Sequence, residues 1–264
     1  MKNTHHLKRF KLTLEYDGTR YSGWQKQDDA KTIQGALLSA GAEIFSGPVD
    51  IQGSGRTDAG VHAMRYVAHL EASTTLAPLT IRIKFNDLLP ADIAILDVEP
   101  CALRFHARHD CVARSYLYQI SKRKTAFGKK YVWWVRDKLD IRAMAEAAQL
   151  FTGMHDFISF AEKQELKKST RVLLHAVHIH EEDDLIIVRI IGSHFLWKMV
   201  RRMIGVLVEV GRHALNTQQV EALLKEHSNK PAPLTAPPSG LFFERAIYDE
   251  AELRKFLAEI AEQP

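Results

Sequence analysis

Two hydrophobic periods alternate along the first hundred residues of this chain, and their order constrains the fold more than any other feature. Phe10 to Glu15 alternates apolar and polar residues, the period of a half-buried strand. Thr32 to Phe45 follows helical spacing, with Thr32 placed as the N-cap and the Gly47-Pro48 pair as a stop. A strand from Val49 runs into a glycine-rich loop, and another, from about Tyr66 to Glu71, leaves it. Pro78 opens a short helix to about Leu88, and Ile93 to Val98 reads as a further strand. Strand, helix, strand, strand, helix, strand is the order of a split βαβ, ferredoxin-like unit.

The second half begins in the same way. Arg114 to Ser121 alternates so that Tyr116, Tyr118 and Ile120 share a face, and Asp140 caps a helix through Ala143, Ala147 and Phe151. Strands are expected at Val172 to Ile179 and Leu185 to Ile191, then a long helix from about Phe195 to Val210. Helices from Gln218 and Glu250 bracket a proline-rich stretch, Pro231 to Pro238. The halves share an element order without a visible sequence repeat, and no low-complexity linker parts them. The expected architecture is α/β (α+β): two ferredoxin-like lobes, residues 1–106 and 107–264, fused around a central, mainly antiparallel sheet with an active-site cleft between them.

On a wheel of about 100° per residue, Phe195, Met199, Met203, Val206, Leu207 and Val210 of the long helix form an apolar sector. Lys198, Arg202 and Glu209 lie opposite, and Arg201 falls at the sector's edge beside Trp197 and Val208. A guanidinium at that edge either snorkels to solvent or has a fixed anionic partner.

Composition sets the outer limits. A chain of 264 residues with 46% hydrophobic and 26% charged residues can build one large core or two smaller ones. The formal charge of +4 is compatible with an RNA partner without arguing for one. Cys101 and Cys111 form no disulfide framework and no Cys-x-x-Cys pair, so a reducing, cytoplasmic location is expected. Met1 to Arg9 is polar and basic, unlike a signal peptide, and no apolar run is long enough to span a bilayer, so no membrane partner is expected. The best metal candidate is His175, His178 and His180. Strand alternation puts only the last two on one face, with no carboxylate or cysteine at ligand spacing, so no metal is expected.

The loop Gly53-Ser54-Gly55-Arg56-Thr57-Asp58-Ala59-Gly60-Val61-His62-Ala63 concentrates the chemistry. Its glycines permit close approach of a ligand to the backbone, and they set one carboxylate beside one guanidinium. Three readings stand: a tight turn in which Asp58 bonds its own backbone, a phosphate cradle, or a catalytic carboxylate presented to a nucleic acid with Arg56 helping to place it. The cradle lacks the Gly-Lys-Ser/Thr ending of nucleoside triphosphatases.

Six stretches together resemble one family. Gly55-Arg56-Thr57-Asp58-Ala59-Gly60-Val61-His62 is similar to the signature of the tRNA pseudouridine synthase A (TruA) family. Glu15-Tyr16-Asp17-Gly18 with Tyr21-Ser22-Gly23-Trp24-Gln25-Lys26-Gln27 resembles its opening, and Phe105-His106-Ala107-Arg108 its mid-chain basic motif. Tyr116-Leu117-Tyr118 resembles its tyrosine pair, although the family often has arginine where Leu117 stands. His194-Phe195-Leu196-Trp197-Lys198-Met199-Val200-Arg201 resembles its long helix, and Pro238-Ser239-Gly240-Leu241 its closing stretch.

The resemblance implies an isomerase that breaks the bond between ribose and N1 of uracil, turns the base and rejoins it through C5. No cofactor and no metal enters that reaction. Asp58 would be the carboxylate that acts at the sugar, as nucleophile at C1′ or by taking a proton from C2′. Arg201 would favour its charged form, and Tyr116 would lie against the uracil. Arg56 would intrude into the RNA and assist base flipping. Phe105, His106, Ala107, Arg108 and His109 would grip phosphate and ribose, with Ser169, Thr170 and Arg171 after the Lys167-Lys168 pair. The implied substrate is the anticodon arm of tRNA, uridines 38–40, bound by a homodimer. Two other classes remain in view: a catalytically idle RNA-binding or tRNA-chaperone protein of the same fold, and a mononucleotide phosphate binder.

Overall fold

The periods read from the sequence are realised in the computed structural model, which describes residues 7–162 and 169–262. Strand β1 (Leu7–Tyr16) buries Phe10, Leu12, Leu14 and Tyr16, the alternate residues of one face. Thr32 caps helix α1 (Ile33–Ile44) by accepting a hydrogen bond from the Gly35 amide at 3.2 Å. Helix α2 (Pro78–Leu88) starts on a proline, whose missing N–H would have had no partner there. Strand β2 (Val49–Gly53) pairs antiparallel with the distal half of β3 (His62–Ser73). β3 pairs antiparallel with β1, and β1 with β4 (Ile93–Cys101). The order β4-β1-β3-β2, with α1 packed on β2 and α2 on β4, is that of a ferredoxin-like unit.

β3 begins at His62, four residues before the expected Tyr66, because Ala63 pairs with Tyr16 of β1. Gly60 and His62 break the local alternation, and the strand partner that restores it is remote in sequence.

The second half contains β5 (Ala113–Ser121), β6 (Trp133–Trp134), α3 (Ile141–Gln149), β7 (Gly153–Asp156), β8 (Arg171–Glu182) and β9 (Leu185–Gly192). Then come α4 (Met199–Gly211), α5 (Thr217–Lys225), β10 (Leu241–Ile247) and α6 (Glu250–Ala261). β8 and β9 form a hairpin, β9 pairs antiparallel with β5, and β6 runs parallel to β5. At the other edge of β5 lies β10, where the Val112 amide donates to the Ile247 carbonyl at 2.9 Å. The order β10-β5-β9-β8 therefore repeats β4-β1-β3-β2 with different residues. Asp140 caps α3 as expected, its carboxylate accepting from the Ala143 amide at 3.0 Å. Helix α6 lays Leu253, Phe256 and Ile260 over Ala113, Ile191 and Ile247. His178 and His180 share a face, their ring centroids 5.3 Å apart. The chain forms two units. One runs to Cys111 and takes in Phe243–Ala246, and the other holds the remainder, so β10 contributes residues to both.

The long helix departs from expectation at its start. It begins at Met199, because Lys198 adopts a left-handed conformation with φ 61° in a turn that the Met199 amide closes onto the Leu196 carbonyl at 3.1 Å. Arg202, expected on the polar side, is only 6% exposed. Glu162 draws it in: its carboxylate lies 2.9 Å from Arg202 Nη2 and 2.8 Å from Lys198 Nζ. A helical wheel weighs a helix against itself and has no access to an acid brought in from another segment.

Candidate active site

Asp58 lies half-buried in a loop whose backbone is bonded on both sides. The Ser54 amide donates to the Val67 carbonyl at 2.8 Å, and the Thr57 carbonyl accepts from the Trp24 amide at 3.1 Å. The Gly60 amide donates to the Tyr21 carbonyl at 3.2 Å, and the Val61 amide closes a turn onto the Asp58 carbonyl at 3.2 Å. Beneath the loop, Tyr16, Trp24 and Tyr66 form an aromatic shelf, with Trp24 and Tyr66 centroids 4.2 Å apart. Tyr66 donates its hydroxyl to the Gly55 carbonyl and accepts from the Gly55 amide at 3.3 Å. The Tyr16 hydroxyl is 2.9 Å from Thr57 Oγ1. Gly23 supports the loop from below at φ 94°, and a Cβ there would stand 2.4 Å from the Thr57 carbonyl oxygen. The residues flanking Asp58 are thus fixed by partners outside the loop, which leaves one half-buried carboxylate held in place.

Arg56, two residues earlier, is exposed, and its Nε donates to Gln25 Oε1 at 3.2 Å. Gln25 in turn donates to Gln34 Oε1 at 2.6 Å, and the buried Gln34 donates to the Ile51 carbonyl at 2.8 Å. A relay of two glutamine side chains therefore orients Arg56 from the first turn of α1.

The segment Phe105 to His109 is pinned from the sheet. Arg9 donates to the Phe105 carbonyl at 2.7 Å while its Nε bonds Glu71 at 3.0 Å. His69, 1% exposed, accepts the Ala107 amide on Nδ1 at 3.1 Å. That acceptor role requires a neutral ring, and burial first, then the Arg9 and His106 charges, lowers the pKa of His69 to about 4. The His106 imidazole caps the segment by accepting from the Arg108 amide at 3.1 Å and the His109 amide at 3.4 Å. Its pKa is lowered by burial and by the neighbouring His109. Ala107 is buried, Phe105 and His106 are half-buried, and Arg108 and His109 are exposed.

In the second unit, β5 carries Tyr116 and Tyr118 on one face. Tyr116 is buried with its ring edge-on to Phe195, centroids 4.9 Å apart. Tyr118 is a structural anchor: its hydroxyl donates to the Pro237 carbonyl at 2.8 Å, and burial pushes the phenol's pKa up. The stretch from Ala236 to Gly240 also holds Arg201. The Ala236 carbonyl accepts from Arg201 Nε at 2.7 Å, and the Ala236 amide donates to the Arg201 carbonyl at 3.0 Å. Arg201 is half-buried; the first bond holds its guanidinium and the second its backbone. Leu117 pairs with Arg189 and alternates with Tyr116, so it faces away from it.

Ser169 and Arg171 are exposed at the start of β8. Thr170 between them is buried, its hydroxyl donating to Asp156 Oδ1 at 2.5 Å. Lys167 and Lys168 lie outside the described residues.

The comparisons with known proteins agree with one another. The model of the tRNA pseudouridine synthase family matches residues 13–110 and 147–249. A tRNA pseudouridine synthase A 2 of Clostridium tetani is 36% identical over 243 residues, 90% of this chain and 98% of its own. One from Bacillus cereus is 36% identical over 245 residues, covering 92% and 100%. The tRNA pseudouridine synthase A of Bartonella tribocorum is 39% identical over 247 residues, covering 92% and 100%. The chain belongs to the tRNA pseudouridine synthase family.

Membership of this family of isomerases gives the scattered motifs one structural sense. The opening stretch, Glu15–Gly18 with Tyr21–Gln27, carries the cradle of the Asp58 loop. The clamp on Arg201 and Tyr118 comes from Ala236 and Pro237, just ahead of the closing stretch Pro238–Leu241. Gln34, Tyr66, His69 and Ala236 support the site without having been singled out in the sequence. Gln34 is the one that left a trace, as a polar residue on the buried side of a helix. The other three are ordinary strand and loop residues until their partners are known.

Proposed function

We propose that this pseudouridine synthase acts on the anticodon arm of tRNA, at uridines 38–40, with Asp58 as the carboxylate at the ribose. The observation that carries the assignment to Asp58 is the cradle: three aromatic rings and backbone bonds from Trp24, Tyr21 and Val67 fix a loop that presents a single carboxylate. A turn formed only to reverse the chain has no need of that support. Catalysis gains when the attacking group is already placed, because no ordering of the loop is then required during the reaction.

The remaining roles follow the family's motifs. Arg201 is the cation of the site, and its bond to the Ala236 carbonyl fits a group that must stay fixed. Tyr116 holds the detached uracil. Arg56, steered by Gln25, fills the space left by the flipped base, offsetting an unstacking cost of a few kcal/mol. Arg108 and His109 are the exposed members of the segment that grips the RNA backbone, with Ser169 and Arg171 as further contacts. Thr170 positions its neighbours through Asp156. The protein works in the cytoplasm as a homodimer, for which light scattering should give twice the chain mass; a monomer would remove that part of the reading.

Pseudouridine mapping on an unmodified tRNA transcript, by carbodiimide labelling and primer extension, tests the assignment. Wild type should give new stops in the anticodon arm. Asp58→Ala should give none, while binding tRNA as tightly as wild type or more so. Stops elsewhere would discard the anticodon arm. Loss of binding together with turnover would make Asp58 structural. An absence of stops with salt-sensitive tRNA binding would point to an idle RNA binder.

A further inference from the structure

Residues 122–136, which link β5 to the approach of α3, take no part in the site described above. They contain six basic residues, Lys122, Arg123, Lys124, Lys129, Lys130 and Arg136, and no acid. Charge alone would describe a solvated loop, and two of the six are already committed to the β8–β9 hairpin. Lys122 meets Glu181 at 3.0 Å, and Arg123 pairs with Asp184.

The aromatics are what a solvated loop does not account for. Phe127 is 92% exposed, Trp134 42% and Tyr131 38%. Fully burying such a ring contributes about 1.5–3 kcal/mol. Phe127 forgoes nearly all of it, and Trp134 and Tyr131, the latter 6.3 Å from the Phe242 ring centroid, forgo part. The backbone holds Phe127 outward. Gly128 turns the chain at φ 73°, the Tyr131 amide closes onto the Gly128 carbonyl at 2.8 Å, and the Thr125 hydroxyl donates to the Phe127 carbonyl at 2.5 Å. The loop is also firmly rooted. The Val135 amide donates to the Ser121 carbonyl at 3.1 Å, and Ser239 donates to the Val132 carbonyl at 3.3 Å. Lys124 stands 6.0 Å from the Trp134 ring centroid, a cation over a half-exposed π-face.

Exposed rings alternating with exposed cations match the needs of a single-stranded nucleic acid, which offers a π-face and a phosphate at every nucleotide. A protein partner would favour a patch whose centre is depleted of lysine. We propose that residues 122–136 are a second RNA-contacting element, in which Phe127 stacks on an unpaired base of the tRNA and Lys124 and Lys129 meet backbone phosphates. The inference rests on the functional reading above, which supplies the RNA.

Three variants at exposed positions test it, each checked by its melting curve: Phe127→Leu, Phe127→Trp, and Lys124→Ser combined with Lys129→Ser. The dissociation constant for a tRNA transcript is measured by fluorescence anisotropy from low to physiological salt. Phe127→Leu should weaken binding about tenfold, and Phe127→Trp should restore it, because leucine is apolar but offers no ring to stack. The double lysine variant should lower the slope of log affinity against log salt by about 2. Unchanged affinity and slope would overturn the proposal. So would loss of sedimentation with phosphatidylserine–phosphatidylcholine vesicles while tRNA affinity is kept, which would make the loop a membrane contact. Wild type that binds tRNA without forming pseudouridine would overturn the functional reading alone, since the loop variants would still be read in the dissociation constant.

Discussion

His69 shows how much a single side chain can decide. Its Nδ1 accepts the Ala107 amide, so this tie on the Phe105–His109 segment, proposed above to grip RNA, holds only while the ring is neutral. The unfolded ring titrates near 6.5 and the folded one at about 4, so proton uptake favours the unfolded chain. The stabilisation, at most about 3 kcal/mol, is complete above pH 6.5 and is lost as the pH falls toward 4. Urea midpoints measured across that window should fall with pH for wild type and be flatter for His69→Gln; parallel curves would show that another group controls the loss. In the sequence, Asp58 and Arg56 were legible from their glycine-rich setting and their family motif. His69 was one of thirteen histidines on an ordinary strand. Its role depends on which amide lies above it, and strand periodicity carries no such information.

At the scale of elements, the Asp58 loop is shaped by what lies under it. Gly23 is one of these supports, and it combines a left-handed φ with a backbone oxygen where a Cβ would go. Gly23→Ala should therefore cost about 1–3 kcal/mol of stability and reduce pseudouridine formation at least tenfold, as a displaced carboxylate loses its alignment. Thermal melting with single-turnover assays would check this, and a variant with wild-type rate would show that the loop tolerates a shift of its base. Helix starts were legible wherever a cap announced them, as at Thr32 and Asp140, because a cap and its amide are three residues apart. The start of α4 was not. Its apolar stripe continues back through Phe195, and only the backbone at Lys198 reveals that the helix has not yet begun.

For the molecule as a whole, the formal charge of +4 is small, so RNA affinity must come from how the cations are placed rather than from their number. Binding of tRNA should still fall steeply with salt, because each phosphate contact releases a counterion. A log–log slope of at least about −4 is expected in a filter-binding titration. A slope near zero would favour recognition of a mononucleotide instead.

The sequence by itself determined the element order of the first half and, in the second, β5, α3, β8, β9 and the helices, but not β6, β7 or β10. It also determined the caps of α1 and α3, the glycine loop with its carboxylate, and through six stretches the family. These are properties of neighbouring residues or of short motifs, and they survive without knowledge of the fold. The tertiary structure decided which strands meet, in the order β4-β1-β3-β2 and again β10-β5-β9-β8, and with them the partners of each polar side chain. Arg202 turned inward to Glu162, Gln34 reached the Ile51 carbonyl, and Tyr66 took both backbone groups of Gly55. Each of these pairings joins residues remote in sequence or on separate elements. Strand register and packing bring them together, and no local pattern encodes that.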